Sequence, residues 1–246
     1  EGSAEREQCY GRLLAAVEKH TGGRRAAEVS VLVPGSGLGR LAWEFAKRGY
    51  RSEGNEWSVL MLLGSHYVLN AGPAGTHYAT IRPFAHIFSN HVTVAGQLRE
   101  VTIPDVDTHD LPPDGGGFSM AAGDFLEAYG REAAFDAVAS CFFLDTARNV
   151  LAYLERIFLI LKPGGILVNF GPLLYHFDDN TGAPSIELCL DEILDVMKGL
   201  GFLILEREDH IAADYIADRE SMMRTAYSCT FFVAQKPLEP SEHTAI

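Results

Sequence analysis

A turn rich in glycine carries the first chemical signal, with glycines at alternate positions: Gly35, Gly37 and Gly39. It lies between an apolar run at residues 29–33 and a helical pattern at residues 38–48. Glycines at such a place let the backbone turn sharply and approach a ligand at the positive end of the following helix. Glu56 stands 21 residues after Gly35, at the end of the next strand pattern, where a carboxylate can accept hydrogen bonds from two ribose hydroxyls. These residues predict a nucleoside site. A structural glycine turn is the alternative, because the spacing differs from the dinucleotide form G-x-G-x-x-G.

A second polar signal follows a strand pattern at residues 118–121, where Asp124 stands directly before Phe125. A carboxylate there can accept a hydrogen bond from the amino group of adenine, and Phe125 can lie against the ring. An aspartate that caps the next short helix is the competing interpretation. Further along, residues 162–165 (KPGG) form a turn before another strand pattern. This order of features looks like methyltransferases that use S-adenosylmethionine (AdoMet) more than like a dehydrogenase.

Strand and helix patterns alternate along the chain, which predicts a parallel sheet with right-handed crossovers. The predicted helices are residues 4–19, 38–48, 57–70, 146–161 and 185–199. The predicted strands are residues 29–33, 50–55, 118–121, 135–143, 166–170, 201–208 and 227–235. No helix separates the last two strands, so that pair is predicted to be antiparallel. The expected fold is α/β, a class I methyltransferase Rossmann-like fold whose seven-stranded sheet is mostly parallel, with an antiparallel last strand.

Residues 71–117 interrupt this alternation with glycine, proline, histidine and aromatic residues. The stretch is too short for a core of its own, so we predict an insertion packed on a single domain that covers residues 1–237. Residues 238–246 are predicted to be a disordered tail.

The charge balance and the cysteines exclude several classes of function. The 246 residues hold 20 Lys and Arg against 33 Asp and Glu, a formal net charge of −13. Binding of nucleic acid or of an anionic membrane rests on clustered cations, so neither is an expected partner. The four cysteines are widely spaced, without a C-x-x-C pair, so neither a disulfide framework nor a zinc knuckle is predicted: Cys9, Cys141, Cys189 and Cys229. The spacing of His77, His86 and His91 matches no ligand pattern, and no metal is expected.

Hydropathy indicates where the protein resides. No apolar run approaches the roughly 18 residues of a membrane span, and residues 1–20 do not have the pattern of a signal peptide. We therefore expect a soluble protein of a reducing compartment, the cytosol, with the nucleus as a second location.

Longer motifs make the resemblance more specific. Six of them resemble the carnosine N-methyltransferase family: residues 31–44 (VLVPGSGLGRLAWE), 54–58 (GNEWS), 118–125 (FSMAAGDF), 141–147 (CFFLDTA), 171–177 (GPLLYHF) and 221–223 (SMM). The likeness runs over about residues 5–237. Members of that family methylate the imidazole of histidine-containing dipeptides such as carnosine, giving anserine. The resemblance implies AdoMet as cofactor, S-adenosylhomocysteine as its product, a small dipeptide substrate and a homodimer.

By the same resemblance, Asp145, His176 and Tyr227 hold the substrate imidazole. Asp145 follows the fourth predicted strand and His176 the fifth, so both belong at the carboxyl edge of the sheet, where ligands bind. The loop predicted before the last strand, at residues 210–225, brings Tyr227 to that edge. A carboxylate that accepts the N–H of one ring nitrogen leaves the lone pair of the other exposed and stabilises the imidazolium. We assign that catalytic role to Asp145, with His176 and Tyr227 as its hydrogen-bonding partners.

Each of these residues also has a structural interpretation. Asp145 precedes a predicted helix and can be its N-cap, His176 can be an ordinary loop histidine, and Tyr227 a core tyrosine. Cys141, at the end of the fourth strand, is expected to form a wall of the cofactor pocket. No histidine stands beside it in the sequence to activate it as a nucleophile.

The chain departs from the family pattern at three places. Ser36 stands where members commonly have Ala or Cys, a change that the turn should tolerate. Members carry a helical segment ahead of residue 1 whose Gln and Arg help cover AdoMet, and without it we expect a more open cofactor site. Residues 225–227 read Thr-Ala-Tyr where three tyrosines are expected, so only Tyr227 carries over.

The sequence also leaves room for three different functions. The acceptor can be a histidine within a peptide or protein, or another small amine. The fold can belong to a nicotinamide-dependent oxidoreductase. The chain can also be a non-catalytic relative that binds AdoMet and serves as a partner subunit.

Overall fold

The computed structural model describes residues 2–178, 182, 184–215, 218 and 220–238. Its strands are β1 Ser30–Pro34, β2 Arg51–Glu56, β3 Ala79–Ile81, β4 Val101–Ile103, β5 Phe118–Ala122, β6 Phe135–Cys141, β7 Leu161–Gly171, β8 Leu203–Tyr215 and β9 Thr225–Gln235. Its α-helices are α1 Ser3–Thr21, α2 Arg40–Lys47, α3 Val59–His66, α4 Val94–Gln97, α5 Phe125–Ala128, α6 Val150–Ile160 and α7 Leu190–Gly199.

Seven strands form the central sheet, in the order β5-β2-β1-β6-β7-β9-β8. The first five of these pair in parallel, and β9 lies antiparallel between β7 and β8. This confirms the predicted α/β fold and the antiparallel last strand. The carboxyl ends of β1, β2, β5, β6 and β7 therefore share one edge of the sheet.

Two apolar layers bury both faces of this sheet. All five residues of β1 are buried, and successive side chains alternate between the layers. Val31 and Val33 pack with α1 and α2, whereas Leu32 packs with α6 and α7. Burial on both faces explains why the strand has no polar alternation in the sequence.

Several predicted boundaries differ from the observed ones. The predicted turn at residues 162–165 lies inside β7, where the pairing of β6 with β7 shifts between Phe135 and Ala137 and Gly164 has a φ of +79°. Helix α6 begins at residue 150 rather than 146, because a 3₁₀ turn, Leu144–Thr146, comes first and Asn149 caps the helix. Helix α7 begins at residue 190 rather than 185.

The loop predicted at residues 210–225 is shorter than expected. Strand β8 continues to Tyr215, because residues 211–215 pair with residues 225–229 of β9. The prediction that residues 210–215 form a loop was wrong.

The stretch at residues 71–117 contains β3 and β4, which form an antiparallel pair outside the central sheet. Arg99 connects it to the segment between β8 and β9 through ion pairs with Asp218 and Glu220. That this stretch is an insertion in a single domain stays a prediction. Of the predicted tail at residues 238–246, residues 239–246 lie outside the described residues. In the part of the chain that the structure describes, no helix has the length and apolar character to cross a membrane.

Candidate functional site

The glycine turn joins β1 to α2 at the carboxyl edge of the sheet. Its glycines have φ values in the left-handed region, +62°, +57° and +89°: Gly35, Gly37 and Gly39. A Cβ on Gly35 would lie 2.7 Å from the ring of Phe143, so a side chain does not fit at that position. The backbone N–H of Ser36 donates to the carbonyl of Asn55 at 2.9 Å, which fixes the turn to β2.

Glu56 ends β2 directly beside this turn. Its Oε2 accepts the backbone N–H of Gly37 at 2.8 Å, and its Oε1 accepts the N–H groups of Trp57 and Ser58, also at 2.8 Å. The structure thus brings the predicted carboxylate and the glycine turn together. The carboxylate holds the turn in place, and of its roughly four acceptor sites one, on Oε2, remains for a hydroxyl donor.

Asn55, at the end of β2, holds the end of β5 beside the glycine turn. Its side-chain amide donates to the carbonyls of Ala121 and Gly123, at 3.3 and 3.0 Å. Asp124 comes next and caps α5, because its Oδ1 accepts the N–H groups of Leu126 and Glu127. The capping role that competed with adenine binding is therefore present, and Asp124 Oδ2 remains for a ligand.

The prediction for the Phe125 side chain was wrong. The ring is only 2% exposed and packs against Phe143 and Tyr153, with ring centroids 5.3 and 5.2 Å away. A ring buried in the core cannot lie against a ligand, so Phe125 can offer a ligand only its backbone. Its side chain supports the wall of the site from behind.

Two cavities flank the glycine turn. One, of about 220 Å³, is lined by the turn, α1 and the end of β6, with Cys9, Cys141 and Phe142 in its wall. The other, of about 810 Å³, lies between the turn, α1 and β4. Cys141 thus stands in a cavity wall beside the turn, the position that the sequence assigned to it.

An aspartate between β4 and β5 ties α1 to α2 over the larger cavity. Asp105 accepts one hydrogen bond from Arg6 of α1 and another from Arg40 of α2, both at 2.6 Å. Burial alone would raise the pKa of Asp105, but Arg40 and Arg6 outweigh it and lower that pKa. The ion pairs hold the two helices and the segment after β4 in one arrangement around the turn.

Asp145 lies in the 3₁₀ turn after β6 and is 3% exposed. Its Oδ2 accepts the N–H of Leu174 at 3.0 Å, and its backbone carbonyl accepts the N–H of His176 at 3.1 Å. Burial raises the pKa of Asp145, while the Leu174 N–H and the nearby His176 act in the opposite direction. Because Asn149 caps α6, Asp145 is not the N-cap of that helix.

Three aromatic rings pack on one another near the carboxyl end of β6. Phe142 has a φ of +51°, which is uncommon for a bulky residue and turns its ring away from the core where Phe143 packs. Its centroid is 5.7 Å from that of Tyr215 and 5.9 Å from that of Tyr227, and the two tyrosines are 5.3 Å apart. Burial raises the pKa of Tyr215, and the charges of Tyr227 and Asp145 add to that effect.

The structure places His176 against the backbone of Asp145, and Tyr227 against Phe142 and Tyr215. A common mouth for Asp145, His176 and Tyr227 stays a prediction. Asp145 is buried, Tyr227 half-buried and His176 exposed. Among the described residues, no group of three or more His, Cys, Asp or Glu side chains is arranged to hold a metal ion.

Comparison with known proteins identifies the family. The profile of the carnosine N-methyltransferase family matches residues 1–238. The chain belongs to the carnosine N-methyltransferase family. The resemblance seen in the sequence motifs is thereby confirmed.

Curated relatives agree with this membership. The carnosine N-methyltransferase of Mus musculus is 45% identical over 238 residues, which cover 96% of this chain and 59% of the relative. The carnosine N-methyltransferase unmet of Drosophila melanogaster is 41% identical over 240 residues, covering 96% of this chain and 52% of the relative. The chain thus spans between about half and three fifths of the length of these family members.

Solved structures share the fold at low sequence identity. A putative sarcosine dimethylglycine methyltransferase from Galdieria sulphuraria has a TM-score of 0.59 at 12% identity, covering 93% of this chain and 85% of its own. A SAM-dependent methyltransferase from Methanosarcina mazei has a TM-score of 0.57 at 15% identity, covering 90% of this chain and 97% of its own. This family member therefore has the fold of SAM-dependent methyltransferases.

Sequence reasoning missed two parts of the site in this family member. Tyr215 was hidden because the strand that carries it was predicted to end at residue 208, although an aromatic residue at the end of a longer strand would have drawn attention. The ion pairs of Asp105 had no signal, because they join residues 99 and 65 positions apart.

Proposed function

We propose that the chain is an AdoMet-dependent N-methyltransferase that methylates an imidazole nitrogen of carnosine or a related histidine-containing dipeptide, giving anserine from carnosine. The observations that support the proposal come from a member of this family. The His176 N–H donates to the backbone carbonyl of Asp145 at 3.1 Å, and Tyr227 packs against Phe142 and Tyr215, which line the cavity beside the glycine turn.

The residues around the turn fit a nucleoside such as AdoMet. A Cβ on Gly54 of β2 would lie 2.6 Å from the sulfur of Met120 and 2.8 Å from the hydroxyl of Ser36, so the floor of the site is built for a bare backbone. Glu56 would hold the ribose hydroxyls, Asp124 the adenine amino group, and Cys141 would line the wall. The glycines let the backbone approach the ligand closely.

AdoMet, when bound, supplies a methyl group on a positively charged sulfur that a nitrogen lone pair can attack directly. An imidazole has a pKa of about 6.5 and is mostly neutral at pH 7, so the site need not supply a strong base. It must orient the ring and select one nitrogen. Asp145 performs this by accepting the N–H of the other nitrogen.

The surroundings of Asp145 suit this task. A buried carboxylate with a raised pKa gains more from an incoming N–H donor than a solvated one, because water does not compete for it. The same carboxylate stabilises the positive charge that methylation places on the ring. His176 and Tyr227 supply further polar groups at the mouth, and the three aromatic rings exclude water beside the acceptor.

The proposal also includes the cellular compartment, the second product and the oligomeric state expected from the sequence. We propose that the protein works in the cytosol, that S-adenosylhomocysteine leaves as the second product, and that the chain forms a homodimer. Cell fractionation and the molar mass in solution test the first and the last of these.

The test of function is methyl transfer from labelled AdoMet, with carnosine, homocarnosine, free histidine and histidine-containing peptides offered separately. We expect label on the dipeptides, on an imidazole nitrogen. Label only on peptides or on another amine would show that the acceptor is that compound and not a dipeptide. No transfer to any imidazole would contradict the proposal.

A thermal-shift assay distinguishes this methyltransferase from an oxidoreductase and from a non-catalytic subunit. S-adenosylhomocysteine should raise the melting temperature, by an amount that grows with the logarithm of its concentration relative to Kd, and NAD should not. Stabilisation by NAD alone would favour an oxidoreductase. Stabilisation by S-adenosylhomocysteine without transfer to any acceptor would favour a non-catalytic subunit.

A further inference from the structure

Three cysteines that are far apart in the sequence meet beside the smaller cavity. Cys9 lies in α1 and is 6% exposed, Cys141 ends β6, and Cys229 lies in β9 and is 1% exposed. All three pack in the same apolar layer, which joins α1 to the sheet. The fourth, Cys189, is exposed at the start of α7.

Cys9 and Cys141 are the pair that a small solute can reach. Both line the cavity of about 220 Å³ beside Gly35 and Ser36, and both pack in the apolar layer that joins α1 to the sheet. Cys229 lies deeper, and burial raises the pKa of its thiol to about 12, which keeps it protonated.

The two thiols shift each other's pKa in opposite directions. The neighbouring Cys141 side chain lowers the pKa of Cys9, although burial opposes this. The Cys9 side chain and burial both raise the pKa of Cys141. One thiolate of the pair is thus stabilised by the other thiol, and a thiolate is the form that reacts with oxidants.

We propose that Cys9 and Cys141 form a modification site, a dithiol that a small peroxide entering the cavity oxidises to a disulfide. The Cys9 thiolate attacks one oxygen of hydrogen peroxide, the O–O bond breaks, and the departing hydroxide takes up a proton as water, leaving a sulfenic acid. The Cys141 sulfur then attacks the Cys9 sulfur, the S–O bond breaks, and hydroxide leaves with the Cys141 proton as a second water. Two thiols and one peroxide give one disulfide and two waters.

Access to this pair depends on what fills the cavity. Cys141 shares the cavity wall with Gly35 and Ser36 of the glycine turn. A ligand that lies along the turn therefore closes the route by which peroxide reaches the sulfurs. This second part rests on the proposed function, and it makes the dithiol reactive only when the cofactor site is empty.

Peptide mapping under non-reducing conditions tests the pairing. The reduced protein is treated with a slight excess of hydrogen peroxide, quenched with an alkylating reagent, digested and analysed by mass spectrometry. We expect a cross-linked peptide that joins Cys9 to Cys141, with the loss of two thiols per chain. A disulfide through Cys229, sulfinic acid without a disulfide, or no loss of thiols would overturn the proposal.

Matched variants strengthen the assignment. Cys9→Ser should abolish the cross-link, and Cys189→Ser, at an exposed position, should leave its yield unchanged. Circular dichroism and the melting temperature show whether Cys9→Ser is folded, and Cys9→Ala serves as a second variant. Loss of the cross-link between Cys9 and Cys141 in folded Cys189→Ser would also overturn the assignment.

The protection experiment separates this inference from the proposed function. With S-adenosylhomocysteine at a concentration shown by calorimetry to saturate the protein, disulfide formation should slow at least fivefold. An unchanged rate in the saturated protein would overturn the protection by ligand. Failure of S-adenosylhomocysteine to bind would contradict the proposed function instead, while the mapped disulfide would still decide the dithiol site.

Discussion

Two buried aspartates lie at opposite ends of the same strand and have contrasting surroundings. Asp136, the second residue of β6, accepts hydrogen bonds from Arg24 and Lys162 at 2.7 Å each, and from the N–H and hydroxyl of Ser30 at 2.8 and 2.7 Å. Asp145, beyond the end of β6, accepts the N–H of Leu174. Both are less than 10% exposed, at 6% and 3%. Among the described residues, the carboxylate of Asp136 accepts four hydrogen bonds from other residues, and that of Asp145 accepts one.

The pKa values follow from this difference. Burial alone would raise the pKa of Asp136, but Lys162, Ser30 and Arg24 outweigh it and hold that pKa well below its usual range. At Asp145 burial prevails and the pKa is raised. A buried carboxylate with few partners costs stability, and such costs are retained where function needs them. The comparison shows Asp136 holding strands of the sheet together, and it supports the proposal that Asp145 serves an external partner.

The largest expected effect is that of Asp145→Asn on turnover. The amide presents an N–H where the imidazole N–H needs an acceptor, so kcat for carnosine should fall roughly 100-fold or more. The affinity for S-adenosylhomocysteine, measured by calorimetry, should stay within a factor of two. Unchanged turnover would remove Asp145 from the mechanism.

Asp136→Asn should have the converse effect. The substitution leaves two cations without their carboxylate, and because Arg24 and Lys162 are partly exposed the loss should be about 2–3 kcal/mol of unfolding free energy. Denaturant unfolding at pH 7 measures this. Turnover per folded molecule should equal that of the wild type, and a 100-fold loss of turnover here would break the comparison.

The two aspartates should also impose opposite pH dependence on stability. Asp136 has a lowered pKa, so its contribution is present above the unfolded pKa of about 3.9 and is lost as pH falls towards the folded value. Asp145 has a raised pKa, so its proton stabilises the fold at low pH and that stabilisation is lost as pH rises through the folded pKa. When unfolding free energies are measured by denaturation between pH 3 and 7, that of Asp136→Asn should approach the wild-type value at acid pH. Asp145→Asn should match or exceed the wild type at neutral pH, and the reverse order would contradict these two pKa directions.

The smallest expected effect belongs to Tyr227→Phe. The ring and its packing with Tyr215 remain, and one hydroxyl hydrogen bond to the acceptor is lost, so kcat/KM should fall about fivefold, or about 1 kcal/mol. Tyr129→Phe is a matched control, because it also removes one tyrosine hydroxyl. That hydroxyl donates a hydrogen bond to the Glu53 carboxylate at 2.6 Å. That control should lower stability and leave kcat/KM unchanged. Equal kcat/KM for Tyr227→Phe and the wild type would remove the Tyr227 hydroxyl from the site.

Much of this arrangement was predictable from the sequence, because strand order fixes which ends meet. The glycine turn and Glu56 lie side by side because β1 and β2 pair in parallel, and Asp145 and His176 meet because β6 and β7 do. Side-chain direction and long-range pairing were not predictable. The hydropathy pattern of the sequence does not indicate that the Phe125 side chain is buried. Nor does it indicate that β8, with its register shifts against β9, extends to Tyr215.

The central claim is that Asp145 accepts the N–H of one imidazole nitrogen of the acceptor. Nitrogen-15 NMR of ring-labelled carnosine, bound together with S-adenosylhomocysteine, tests it most directly. The account predicts a single tautomer, with one ring N–H shifted by a strong hydrogen bond in the wild type and in Asp136→Asn, and with that shift lost in Asp145→Asn. A bound imidazole whose tautomer and N–H shift are the same in Asp145→Asn as in the wild type would contradict it.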